Sequence, residues 1–162
     1  MKLQFEKKHH PGFTVVGIAC RASNSRADLI QELWQRFTQE KISAQLTERA
    51  SDAVYALYCD YESDHTGEYS LVIGCEVPPY TLAATEPPPG LVVAAVPAAF
   101  YGVIDSRGPQ PQTTVDIWKK VWTSHVKRTY VCDFEVYWGP VAAEVFVGID
   151  AEAAAAASGA MV

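Results

Sequence analysis

Tyr58-Cys59-Asp60-Tyr61-Glu62 is answered further along the chain by Val131-Cys132-Asp133-Phe134-Glu135. The same landmarks surround each copy in the same order. A Gly-aliphatic pair opens each half (Gly17-Ile18 and Gly102-Val103), and an aliphatic-Trp pair follows in a helical stretch (Leu33-Trp34 and Ile117-Trp118). After the Cys-Asp-aromatic-Glu strand comes an aliphatic strand holding Gly74 or Gly148. Four landmarks in one order imply an internal duplication. A duplicated unit in turn implies a pseudo-twofold fold with a cleft on its axis.

Local patterns fill in the two halves. Phe13 to Cys20 is rich in β-branched residues and reads as a strand. Asn24 or Ser25 suits a helix cap, with Asp28 in the first turn, and the helix fades near Lys41. Leu29, Ile30, Leu33, Trp34 and Phe37 recur at three- and four-residue steps and form one apolar stripe. Ala53 to Tyr61 and Tyr69 to Val77 read as a hairpin around the polar, Gly-containing segment Glu62 to Gly67. Pro78-Pro79 to Pro87-Pro88-Pro89-Gly90 joins the halves as a stiff extended connection. Leu91 to Val96 and Ala98 to Ile104 are strand-like and separated by Pro97. Thr113 or Thr114 is placed to cap a helix carrying Val115, Trp118, Val121 and Trp122. Tyr130 to Trp138 and Glu144 to Ile149 form a last hairpin that turns at Gly139-Pro140. The predicted class is α+β: duplicated β-α-β-β units, an antiparallel sheet and two helices flanking a central cleft. One domain is expected over residues 1–150, with pseudo-repeats at about 11–77 and 91–150. An Ala-rich tail, 151–162, follows without an assigned function.

The bulk numbers bound the function. With 162 residues, 49% of them apolar and 20% charged, the chain can bury an ordinary core. A net charge of −6 argues against a dedicated nucleic-acid binder and tolerates cationic small molecules. Cys20, Cys59, Cys75 and Cys132 have no C-x-x-C or zinc-ligand spacing and fall in apolar strand-like runs, as buried hydrophobes do. No signal peptide or membrane-length apolar run is present, so a reduced, cytoplasmic location is expected, with no membrane partner. No cofactor or metal is expected, since dinucleotide, phosphate-loop, zinc-protease and serine-nucleophile motifs are missing. His9 and His10, beside Lys7 and Lys8, read as a solvated basic patch, and His65 and His125 lie in a turn and at a helix end.

Glu135 is the residue that strand alternation makes ambiguous. Asp133, Glu135 and Tyr137 share one face of their strand, and Phe134, Val136 and Trp138 share the other. Pattern alone favours a solvent-facing Glu135. On a cleft-facing strand it would instead be a carboxylate among aromatics, suited to pairing with an organic cation. Each aromatic face would then add about 0.5–2 kcal/mol of cation–π attraction. The tryptophans are equally two-sided: Trp34, Trp118 and Trp122 sit on helical stripes where core packing is the ordinary role, yet equivalent Trp residues would meet across a pseudo-twofold cleft.

Taken together, Val15-Val16-Gly17-Ile18, Leu33-Trp34, Tyr69 to Gly74, Pro97-Ala98 with Tyr101, Trp118, and Arg128-Thr129-Tyr130 followed by Asp133-Phe134-Glu135-Val136-Tyr137 resemble the GyrI-like small-molecule-binding domain. That family supplies the effector-binding domains of AraC- and MerR-type transcription regulators and also occurs in stand-alone form. The resemblance runs from about Phe13 to Ile149. It implies two pseudo-symmetric β-α-β-β units around a cleft that binds hydrophobic, often cationic, ligands. It further implies that Glu135, in Phe-Glu-Val-Tyr, is the charge partner, with Trp34, Trp118, Trp122, Tyr69, Tyr137 and Phe146 as aromatic walls. No room is seen for a helix-turn-helix, so no direct contact with nucleic acid is expected. Binding or sequestration of a hydrophobic cation leads the functional readings, ahead of enzyme activity. The alternatives implied by the resemblance are hydrolysis of cyclopropane-containing toxic natural products, with Glu135 activating water, and a protein partner such as gyrase. For the last, Glu62, Asp64 and Glu68 are the one tight acidic cluster.

Overall fold

Each half folds where its apolar pattern changes period. A computed structural model describes residues 3–46, 48–79 and 87–152. The first half holds β1 (Glu6–His10), β2 (Phe13–Ser23), α1 (Ala27–Gln39), α2 (Ile42–Gln45), β3 (Val54–Cys59) and β4 (Glu68–Val77). The second holds β5 (Val92–Val96), β6 (Ala99–Arg107), α3 (Gln112–Thr123), β7 (Cys132–Gly139) and β8 (Ala142–Gly148). Among the described residues, no helix is long and apolar enough to cross a membrane.

Among the described residues, eight strands pair antiparallel in one sheet of order β1-β6-β8-β7-β3-β4-β2-β5. The inner six are palindromic about the β7–β3 pair, with β6-β8-β7 on one side mirrored by β3-β4-β2 on the other. This is the duplicated β-α-β-β arrangement, and its axis passes between the halves. The echoed cysteines meet there: Cys59 lies directly opposite Cys132 in the β3–β7 register. Beyond the cysteines the echo diverges. β3 ends at Cys59, which leaves Asp60 and Glu62 exposed in the turn, whereas β7 runs on and buries Asp133 and Glu135.

The leading strand of each half is exchanged. β1 pairs with β6 of the other half, and β5 pairs with β2. The Lys7-Lys8-His9-His10 stretch, expected to be a solvated patch, is thus an edge strand, and its charges blunt that edge. Only Pro11 and Gly12 separate β1 from β2, although these strands stand near opposite ends of the ladder. So short a link forces the sheet to curl until its ends meet over the central strands. His10 accordingly lies 5.0 Å from Phe13 and 5.9 Å from Phe134, ring to ring. Gly17 and Gly74 face each other in the β2–β4 pair; a Cβ on Gly17 would meet the Ile73 carbonyl oxygen at 2.0 Å.

α1 begins without a side-chain cap, and Asn24 instead serves the tertiary structure, donating to the His65 carbonyl and accepting from Tyr69 Oη. Its stripe packs on β2 and β4 as expected: Leu33 and Phe37 are buried, and Leu29, Ile30 and Trp34 are half-buried against the same cluster. Full burial of a residue such as Leu33 contributes about 1.5–3 kcal/mol. α3 packs on β6 and β8 through Ile117, Trp118 and Val121. Thr114, expected as a cap, is buried instead, where its hydroxyl meets Ser106 Oγ and donates to Gln110 Oε1. With each helix over its own outer strands, β3 and β7 form the floor between them. Of the joint between halves, 80–86 lie outside the described residues, as do 153–162 of the Ala-rich tail.

Candidate functional site

Strand alternation places Glu135 on that floor. Its opposite number across the β3–β7 pair is Ala56, and across the β7–β8 pair it is Val145. A small and an aliphatic neighbour leave the carboxylate to be satisfied from above and along the strand. Tyr137 Oη donates to Oε1 at 2.5 Å. Tyr58 Oη and the Trp118 indole N–H both donate to Oε2, at 2.8 and 2.6 Å. Glu135 is 3% exposed. All three donors are neutral, and no Lys, Arg or His among the described residues forms an ion pair with it. Burial pushes its pKa above the ordinary carboxyl value, and the hydrogen bonds from Tyr137, Tyr58 and Trp118 oppose that rise. Hydrogen bonds to a charged group are worth about 1.5–3 kcal/mol each, which keeps the anion accessible despite its burial.

Aromatic rings surround the carboxylate. Tyr58 packs edge-on to Trp118 at 5.5 Å and to Tyr69 at 5.3 Å. Trp34, reaching over from α1, meets Tyr137 edge-on at 5.3 Å. The two halves therefore close on Glu135 from both sides, Trp34 from the first and Trp118 from the second.

Asp133 stands on the same face two residues earlier. It is 0% exposed and fully matched: Arg128 Nη2 donates to Oδ2 at 2.8 Å, Tyr61 Oη donates to the same oxygen, and the Gly148 backbone N–H donates to Oδ1 at 2.6 Å. Gly148 can approach this closely because it lacks a Cβ, which would meet the Cys132 carbonyl oxygen at 2.7 Å. Tyr130, at a left-handed φ of 54°, lays its ring 4.4 Å from the Arg128 guanidinium. This cluster gives the Arg128-Thr129-Tyr130 segment a structural role next to the floor.

Of the residues singled out from the sequence, Glu135, Trp118 and Tyr137 are joined by hydrogen bonds, and Trp34 and Tyr69 are one ring further out. Trp122 is half-buried toward the end of α3, where its indole stacks on His65 at 6.4 Å, away from the carboxylate. Phe146 requires correction. It pairs with Phe134 in the register and stacks on it at 4.4 Å, on the sheet face opposite Glu135. Its neighbour Val145 takes the cleft-side position, so a one-residue difference in parity decides the matter. Tyr58 was not among the residues singled out. Its role follows from the register of β3 against β7, a pairing between strands of different halves that no local pattern encodes. Two open grooves, of about 680 and 570 Å³, lie on other surfaces, one beside Arg107 and Trp138 and one beside β5; neither is lined by Glu135.

Comparison with known proteins agrees with this fold. Residues 8–153 match the Cass2 family, described as integron-associated effector binding protein. YobU of Bacillus subtilis (strain 168), a candidate transcriptional regulator, is 30% identical over 129 residues, which cover 75% of this chain and 78% of YobU. The crystal structure of the integron cassette protein VCH_CASS2, from the mobile metagenome of Vibrio cholerae, superposes with a TM-score of 0.70. It is 26% identical, over 90% of this chain and 95% of its own. SAV2435, solved bound to tetraphenylphosphonium, shares the fold at a TM-score of 0.73 and 19% identity, over 93% of this chain and 96% of its own.

Proposed function

The chain belongs to the family of integron-associated effector-binding proteins, and on that premise we propose that it binds hydrophobic organic cations between α1 and α3, with Glu135 as the charge partner. The observation that carries this reading is a buried carboxylate held by three neutral donors and no counter-ion among the described residues. Such a group is left one positive charge short, in surroundings of low dielectric where a cation is worth most. Trp34, Trp118, Tyr58 and Tyr137 supply π faces and edges around it, each face adding about 0.5–2 kcal/mol to cation binding. SAV2435, a fold relative, has been solved with a lipophilic phosphonium cation, which is the same ligand chemistry. At 3% exposure Glu135 meets a ligand only after the side chains covering it move apart. Binding is therefore coupled to opening between the halves.

A hydrolytic role for Glu135 has less support, because protein donors occupy three of its four lone-pair sites and, at 3% exposure, the remaining one on Oε1 does not face bulk water. The deciding experiment is a tryptophan-fluorescence titration with tetraphenylphosphonium and a neutral compound of the same shape. The cation is expected to bind and to lose most of its affinity in Glu135→Gln, while the neutral compound is unaffected. Equal losses for both would remove Glu135 from the role.

A further inference from the structure

Arg128 is a third charged side chain buried at this floor, beside Glu135 and Asp133. Its guanidinium carbon lies 5.6 Å from the ring centre of Trp118, the same indole whose N–H is bound to Glu135. The side chain is 4% exposed, and of its three nitrogens only Nη2 is hydrogen-bonded, to Asp133. Nε and Nη1 are buried and find no partner among the described residues. Buried donors left unmatched are costly. A lysine would neutralise Asp133 as a single point charge without bringing them. The ion pair and the Tyr130 and Trp118 rings account for one edge and the faces of the guanidinium, and leave its Nε and Nη1 donors unmatched. Asp133 and Glu135 are two residues apart on one strand face, about 7 Å along the floor, and Arg128 reaches that floor at Asp133.

We propose that the cleft recognises its ligand at two points: the cation at Glu135 and, one strand repeat of about 7 Å along the floor toward Asp133, a neutral hydrogen-bond acceptor such as a carbonyl oxygen at the free donors of Arg128. This rests on the cation-binding reading above and narrows its ligand class to lipophilic cations carrying an acceptor at that spacing. A neutral acceptor fits better than an anion. Asp133 already balances the Arg128 charge, and a carboxylate would add a second negative charge to a desolvated site.

The test uses two isomers of equal composition, (5-oxononyl)triphenylphosphonium and (8-oxononyl)triphenylphosphonium, titrated against the full chain and against Arg128→Lys. In the wild type the 5-oxo isomer is expected to bind about tenfold more tightly, equivalent to about 1.4 kcal/mol. In Arg128→Lys the two isomers should bind alike, with the 8-oxo affinity unchanged. Equal affinity of the isomers in the wild type overturns the proposal without recourse to a variant, and so does a preference that survives in Arg128→Lys. If neither isomer binds, the cation-binding reading falls and this inference with it, an outcome distinct from two isomers that bind equally.

Discussion

Asp133 and Glu135 occupy the same face of the same strand, both buried and both hydrogen-bonded to tyrosine, yet they are built for opposite ends. Asp133 is closed: a guanidinium, a phenol and a backbone N–H match its lone pairs and its charge. Glu135 is matched in hydrogen bonds and unmatched in charge. The contrast teaches that satisfying a carboxylate's lone pairs and neutralising its charge are separate matters. At Glu135 the fold does the first without the second.

The sharpest way to break this contrast is Asp133→Asn, which strands the buried Arg128 charge. Loss of one partner of a buried ion pair costs about 3–5 kcal/mol, and urea unfolding should show it in full. A loss below 1 kcal/mol would mean that Arg128 finds another partner and that the two carboxylates differ less than their contacts say.

Glu135→Gln is expected to do the reverse. A glutamine keeps acceptor and donor groups for Trp118, Tyr58 and Tyr137, so stability at neutral pH should change by less than about 1 kcal/mol. Affinity for tetraphenylphosphonium should fall by about 2–3 kcal/mol, the order expected when a desolvated charge partner is removed. A pH series sharpens the point. Because the folded pKa of Glu135 is raised above 4.5, the folded state holds a proton that the unfolded chain has lost. Its contribution to stability is therefore full below pH 4.5 and fades as the pH rises toward the folded pKa. Wild-type stability relative to Glu135→Gln should thus decline over that interval, while cation binding tightens and releases a proton. A flat difference between the two proteins would show an unshifted group.

Tyr58→Phe removes one donor and one of the two hydrogen bonds on Oε2, at a cost of about 0.5–1.5 kcal/mol in stability. The pH midpoint of cation binding should move upward, since the anion loses support. Least of all is expected from Phe146→Leu: a stability loss of roughly 1 kcal/mol from the aromatic stack and no change in cation affinity. Weakened binding in that variant would mean that the two faces of the sheet communicate.

Much of this was readable in the chain. Alternation along Cys132 to Trp138 grouped Asp133, Glu135 and Tyr137 on one face, and the stripe of α1 named the residues that pack on β2 and β4. These are local periodicities, determined by the geometry of one strand or one helix. The duplication was readable as well, because four landmarks keep their order, although the echo overstates the likeness: Asp60 and Glu62 end in an exposed turn. The exchange of β1 and β5 between halves was not readable, since a charged five-residue edge strand has no apolar alternation to announce it.

By itself, the sequence determined the class of fold and which residues of β7 share a face, while the family resemblance, not the pattern, singled out Glu135 among the acids. Only the tertiary structure decided which side chains meet that carboxylate. The register of β3 against β7 brings Tyr58 to Glu135, and the register of β7 against β8 turns Phe146 away from it. The packing of α3 on β6 and β8 sets the Trp118 indole over Oε2. The physical reason is that β3 and β7 are distant in sequence, so their register is chosen by the burial of both faces at once and no window of the chain contains both partners, while the β7–β8 hairpin carries a register shift between Tyr137 and Gly139 that alternation alone does not show.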